Sequence, residues 1–339
     1  AYFSLFGLTT DLIDSEQHNG HVTMALYEEE YEEEYDCSYE SCSGSGKNEV
    51  CVTIPQTCYR DVGPYYNIYT SNGDRVGISR SNFFKYKSEF GAKEFEVYHS
   101  DQTTSSKYAG EGDEWKSYPD KIIPSAVTHS YENYVVAANK NVINVKTTKE
   151  EIDFYKKNGS LKEYPGKYSD AYGTPKLSRI IDTTGKANTR ELLKLLDFSS
   201  DRIGKAKQAN PIIYITDKGP EFKYILEAYW KNAKKNDIIL ILGIDTITNK
   251  VDWSDGIAWT DNTDFLIDLQ NQFTEKDIKD SEAIVNSFEG LIQLEYKRKP
   301  MKDFEYLKEN ISLDFKWQAL IFILNLIGSF FLFRFMLKN

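Results

Sequence analysis

The chain is short of cysteine, of histidine and of net positive charge, and each shortage removes a class of function. Lys and Arg number 41 against 52 Asp and Glu, a formal net charge of -11. Binding a nucleic-acid backbone needs a basic footprint, so that class drops out. The four histidines, His18, His21, His99 and His129, nowhere take the spacing of a metalloprotease helix. His18 and His21 lie close enough to share an ion, with plain solvent exposure as the competing reading. Gly44-Ser-Gly-Lys47 is not a phosphate-binding loop, because Ser41 stands where the first glycine belongs and Asn48 replaces the Ser or Thr. No internal repeat is present. Hydrophobic residues at 40% and charged residues at 27% exclude extended disorder and collagen-like structure. A length of 339 residues leaves room for one or two cores. What is abundant is aromatic: 24 Tyr and 19 Phe point to much β-structure.

All four cysteines, Cys37, Cys42, Cys51 and Cys58, crowd around a turn signal at residues 43–48, between candidate strands at 22–35 and 50–59. A hairpin folded at that turn sets Cys42 opposite Cys51 and Cys37 near Cys58, with a register mismatch that a bulge absorbs. Nested disulfides are therefore expected. A zinc site built from the four thiolates is the alternative, although the tight C-x2-C knuckles of such sites are missing. Disulfides favour an oxidising compartment.

Beyond this stretch the pattern changes twice. Residues 14–146 carry short apolar runs broken by Gly, Asn, Ser and Pro, which reads as an antiparallel β region. Residues 147–175 form a connector in which Thr147 or Thr148 caps a short helix through Glu150 and Glu151. Residues 176–312 alternate helical and strand periods, the mark of an α/β domain. There, residues 211–216 read as a strand. Phe222, Ile225, Leu226, Tyr229, Trp230 and Ala233 form a helical stripe, and residues 238–243 are apolar on both faces, hence a central strand. Strand, helix and strand in this order make a βαβ unit. A further strand is expected at 250–259. Two amphipathic helices follow, through Phe265, Leu269 and Phe273 and through Ile284, Val285, Phe288, Leu291 and Ile292.

The run NPIIYITDKGPEFKYILEAYWKNAKKNDIILILGID, residues 210–245, resembles the core of the TPM domain family, whose members include thylakoid-lumen phosphatase-like and photosystem-repair proteins. The likeness covers about a tenth of the chain, and Lys235-Asn-Asp237 stands where the family usually has Asn-Gly. It implies an α/β fold, a membrane-anchored and extracytoplasmic setting, and in some members a phosphatase activity. Val251 to Gly256 differs from the family's usual turn in the second half.

In open α/β sheets ligands bind beyond the carboxyl ends of the strands. Asp217 and Asp245 follow the two strands and are candidates to hold Ca²⁺ or Mg²⁺, both oxygen-liganded ions. The alternative gives Asp217 a helix-capping role and Asp245 a turn. Asp252, Asp255 and Asp261 are secondary candidates. Residues 27–36, with seven carboxylates between Glu28 and Asp36, offer a strip for a cation or a basic partner, or else a solvated hairpin edge.

From Trp317 the chain runs through about 20 mostly apolar residues, the length that covers a hydrocarbon core of about 30 Å. The segment 313–339 is thus expected to be a single transmembrane helix, with Trp317 at one interface and Arg334 and Lys338 at the other. Six upstream basic residues (Lys297, Arg298, Lys299, Lys302, Lys308, Lys316) would hold the large domain inside, but long domains translocate regardless of charge. The cysteines then favour an extracytoplasmic domain. Residues 1–13 read as the end of an N-terminal anchor, a remnant of signal cleavage, or an ordinary first strand. The expectation is an α+β protein with a disulfide-bearing antiparallel β region, a TPM-like α/β domain and one C-terminal span. It is expected to act through protein contacts in a membrane assembly, as a surface or envelope component or complex subunit, without a resident cofactor. The rival is a metal-dependent phosphatase of the TPM type.

Overall fold

The computed structural model describes residues 13–44, 50–101, 108–135, 147–230, 233–310 and 315–336. It is α+β, with an antiparallel sheet in the first half and a mixed sheet in the second.

The first sheet is organised by one long strand, β1 (Ile13–Glu28). Its first half pairs antiparallel with β10 (Pro124–Glu132), from Ile13 opposite Glu132 to His21 opposite Pro124. Its second half lies between β6 (Tyr65–Thr70) and β9 (Tyr108–Ser117). Strands β2 (Tyr31–Asp36), β5 (Thr57–Val62), β7 (Arg75–Gly77) and β8 (Lys93–Asp101) complete it in the order β5-β2-β9-β1-β6-β7, with β8 on β9. Tyr27 stacks on its cross-strand neighbours Tyr66 and Trp115, each at 4.8 Å between ring centroids. A helix interrupts the expected all-strand region: α1 (Arg80–Phe90), whose first turn is capped by the Ser79 hydroxyl accepting from the Asn82 amide. It lays Phe83 and Tyr86 over Val22, Ala25 and Ile68.

Strands β3 (Tyr39–Ser43) and β4 (Val50–Ile54) extend the β2–β5 ladder into a separate hairpin arm. Both expected disulfides are formed, Cys37–Cys58 and Cys42–Cys51, so no free thiol remains for a zinc site. No bulge is needed. The register that sets Tyr31 opposite Val62 also sets Cys42 opposite Cys51, and Cys37 faces Gln56 and reaches Cys58 diagonally.

In the second half, β11 (Lys167–Ser169) and β12 (Pro175–Leu177) form a short antiparallel pair. Beyond it β13 (Ile180–Asp182), β14 (Asn210–Thr216) and β15 (Asp237–Ile244) run parallel, and β16 (Val251–Ala258) joins β15 antiparallel. The connector forms α2 (Lys149–Lys157) behind a capping box of Thr148 and Glu151, as the sequence suggested. Helix α3 (Thr189–Lys207) links β13 to β14, α4 (Phe222–Tyr229) links β14 to β15, and α5 (Thr263–Asn271) and α6 (Ser281–Glu295) follow β16. Side chains alternate along a strand, so each central strand feeds two cores. Ile213, Ile215, Leu240 and Leu242 meet α3, α5 and α6, while Ile212, Tyr214, Ile239 and Ile241 meet α4 and Leu161. Every residue of β14 and β15 is buried, which explains their unbroken apolar runs.

The two halves close on each other where β1 crosses α3. A Cβ on Gly204 would stand 2.1 Å from the main-chain oxygen of Asn19, so only glycine permits this approach. Gly204→Ala should destabilise the chain by about 1–3 kcal/mol through overpacking. Gly290→Ala on α6, where nothing lies within 4 Å, should instead stabilise by about 0.5–1 kcal/mol through helix propensity. Urea unfolding of the pair checks both signs.

The C-terminal expectation is corrected. The chain forms a helix there, α7 (Phe315–Met336), but among the described residues no helix is long and apolar enough to cross a membrane. Its apolar run is interrupted by Asn325, Gly328 and Ser329. The anchoring roles of Trp317 and Arg334, the single-span topology and the extracytoplasmic placement tied to it are therefore not supported. Lys338 and residues 1–12 lie outside the described residues.

Candidate functional site

The arm lies outside the hydrophobic clusters of both sheets. Every residue of β3 and β4 is exposed. The ladder sets Tyr39 opposite Ile54, Ser41 opposite Val52 and Ser43 opposite Val50, so these side chains share one face. Tyr39, Val50 and Val52 are 52%, 61% and 60% exposed, which leaves that face without a packing partner among the described residues. Cys42–Cys51 closes the opposite face, and Cys37–Cys58 clamps the base. Apolar side chains in water would not keep two strands aligned, and the cross-links supply what burial does not.

Below the arm, β2 and β5 bring like charges together. Glu32 sits directly opposite Asp61, both exposed, and Glu34 and Asp36 follow on the same face. Like charges at directly opposed sheet positions repel, so this face is built at a cost in stability. Arg60 offsets part of the charge from the other face, where its guanidinium lies 5.3 Å from the Tyr35 ring centroid.

The expected metal carboxylates occupy the carboxyl ends of the parallel strands, each with a local partner. Asp217 is exposed and pairs with Lys218 at 2.9 Å. Asp245 closes its own turn, accepting from the Ile247 amide at 2.7 Å and the Thr248 hydroxyl at 2.9 Å. The Ile247 amide, then the Thr248 hydroxyl, hold its carboxyl below the ordinary carboxylate range. Asp182, which sequence reasoning passed over, ends β13 and accepts from the Thr184, Gly185 and Ala187 amides. Asp255 pairs with Lys223 and Asp261 with Lys299, while Asp252 is exposed. The compact sets of three or more metal-capable side chains among the described residues contain neither Asp217 nor Asp245.

At the opposite ends of those strands lies a buried polar seam with the first sheet. Arg179, 1% exposed, donates to Asp197 at 3.2 Å and also to Asn210 and Asn19. Asn210 passes the chain on to Asp237 at 2.7 Å, and Tyr164 donates to the same carboxylate at 3.0 Å. Burial pushes the Asp237 carboxyl up to about 6, against the opposing pull of the Asn210, Lys234 and Tyr164 donors. Asn236 donates to the Gln17 carbonyl at 2.7 Å, and Lys234 pairs with Asp14 and Arg298 with Glu16. The bonds from Arg179 to Asn19, Asn236 to Gln17, Lys234 to Asp14 and Arg298 to Glu16 run between the two halves and tie them together.

No family model, no curated protein and no solved structure matches this chain.

Proposed function

We propose that the protein acts by binding a protein partner through the cross-linked arm, and that the partner presents basic residues beside an apolar patch. The unpartnered face of Tyr39, Val50, Val52 and Ile54 supports this reading, because a stretch with no core of its own is held in one conformation by two disulfides. The opposed Glu32 and Asp61 below it supply the charge preference: a cationic partner relieves their repulsion. A Lys-rich amphipathic peptide serves as the probe. Glu32→Lys with Asp61→Lys should weaken its binding about tenfold, the equivalent of one or two exposed ion pairs. Val52→Ser with Ile54→Ser should weaken it further, and added salt should affect only the charged contribution. Equal affinity in all variants would sink the proposal.

The TPM-type phosphatase reading makes a different demand. Its positive charge would come from a metal at the strand ends, supported by Lys218. Hydrolysis of a phosphate ester by the full chain, lost in Asp217→Asn with Asp245→Asn, would replace the binding reading by that one. The expected result is no turnover in either protein.

A further inference from the structure

We infer that His18, His129 and Asp74 form a binding site for a divalent transition-metal ion. The β1–β10 register places Glu16 opposite His129 and His18 opposite Val127, so Glu16, His18 and His129 project from one face of the sheet. The two imidazoles stack at 3.8 Å between centroids. Asp74 reaches them from the turn between β6 and β7, with Oδ1 2.7 Å from Nε2 of His129. One donor atom from each of the three side chains lies within 4.8 Å of the other two. Ligands bound at about 2.0–2.2 Å stand closer together than that, so modest side-chain rotation closes the set around an ion.

The surroundings fit ligation. Thr70 Oγ1 donates to Asp74 Oδ2 at 3.2 Å and so orients the carboxylate. Glu16 lies 3.3 Å from His18 Nε2, the place of the carboxylate that commonly fixes the second nitrogen of a ligating imidazole. The Asp74 side chain is 8% exposed, whereas those of His18 and His129 are 33% and 39% exposed. His18 also lines a cleft of about 450 Å³ with Ser71, Asn72 and Lys205, which gives an ion its way in. Two imidazoles with one carboxylate select zinc, iron, nickel or copper over calcium and magnesium, which prefer all-oxygen shells. The other compact set of donors, Glu40, Cys42 and Cys51, is closed to thiolate ligation because its cysteines form a disulfide. Position along the chain hid the site: His18 pairs in space with His129, while its sequence neighbour His21 turns to Asp201 at 2.7 Å.

The test is titration of the full chain with Zn²⁺ by calorimetry and with Co²⁺ by visible absorption. The expected result is one ion per chain, with the Co²⁺ bands of mixed nitrogen and oxygen ligation. His18→Ala and His129→Ala should each weaken binding about 100-fold or more, beyond the 10–100-fold typical of losing an outer-shell partner. Asp74→Asn should weaken it as well, and His21→Ala should leave it unchanged. Far-ultraviolet circular dichroism identifies any variant that fails to fold; His18→Gln then takes the place of the alanine variant. No binding by the wild type, or binding that survives His18→Gln with His129→Gln, would overturn the assignment.

Discussion

Replacing Arg179 by Met should lower the unfolding free energy by about 3–5 kcal/mol, the largest single-residue effect expected in this protein. The guanidinium is buried and serves Asp197, Asn210, Asn19 and the Pro211 carbonyl at once. Methionine fills much of the volume but donates nothing. Among the described residues Asp197 then keeps Lys176, at 3.5 Å, and the amide oxygens of Asn210 and Asn19 lose their charged donor. A second change, Asp197→Leu, removes the stranded carboxylate, so the double variant should recover part of the loss. Denaturant midpoints of the two single variants and the double variant measure this coupling. Simple additivity would mean that Arg179 and Asp197 do not act as a pair.

The second large effect is a pH dependence. Asp237 titrates near 6 in the folded chain, against an ordinary value of 3.8. A carboxyl that holds its proton more tightly when folded favours the native state below about pH 4 and disfavours it above about pH 6. Between those values the unfolded chain has released the proton and the folded chain has not. Stability from this group therefore falls as pH rises through the window, by about 3 kcal/mol in all. An Asp237→Asn variant has no such titration. It should be less stable at pH 4, because its amide nitrogen faces donors at either position: Tyr164 with Asn210, or Tyr164 with the Lys234 amide. Its deficit against wild type should then shrink by about that amount between pH 4 and pH 7. Parallel urea-midpoint profiles would refute the assignment.

What the sequence made legible was local. The βαβ unit was readable because β14 and β15 are buried on both faces and α4 repeats its apolar side chains at helical spacing. The Thr148 capping box and the cysteine pairing were readable because each closes within one turn or one hairpin. Helix α1 was not, since it buries only Phe83 and Tyr86 and its mixed composition hides any stripe. The C-terminal apolar run erred the other way: composition alone implied a span, and no helix among the described residues is both long and apolar enough to cross a membrane. Nothing local marked the seam, where Arg179 meets Asn19 across 160 residues and Asn236 meets Gln17 across 219. The same distance problem kept His129 apart from His18. Single-residue chemistry gave no warning either, because Asn, Gln and Arg on a linear chain look like surface residues.

Strand β1 also sets the order in which the chain can fold. It leaves the ribosome ahead of nearly everything it will touch: β10, the Asn210 and Asn236 corner, and finally Arg298, 282 residues after Glu16. The α/β half depends mostly on neighbours in sequence and can form as it emerges, whereas the backbone of β1 stays unpaired until β6, β9 and β10 have followed it. Long-range pairing of this kind slows folding and exposes strand edges to other chains. The step expected to be slow is the assembly of β1 with β6, β9 and β10 and its docking on the Asn210 and Asn236 corner, so refolding should be most sensitive to protein concentration through residues 13–28.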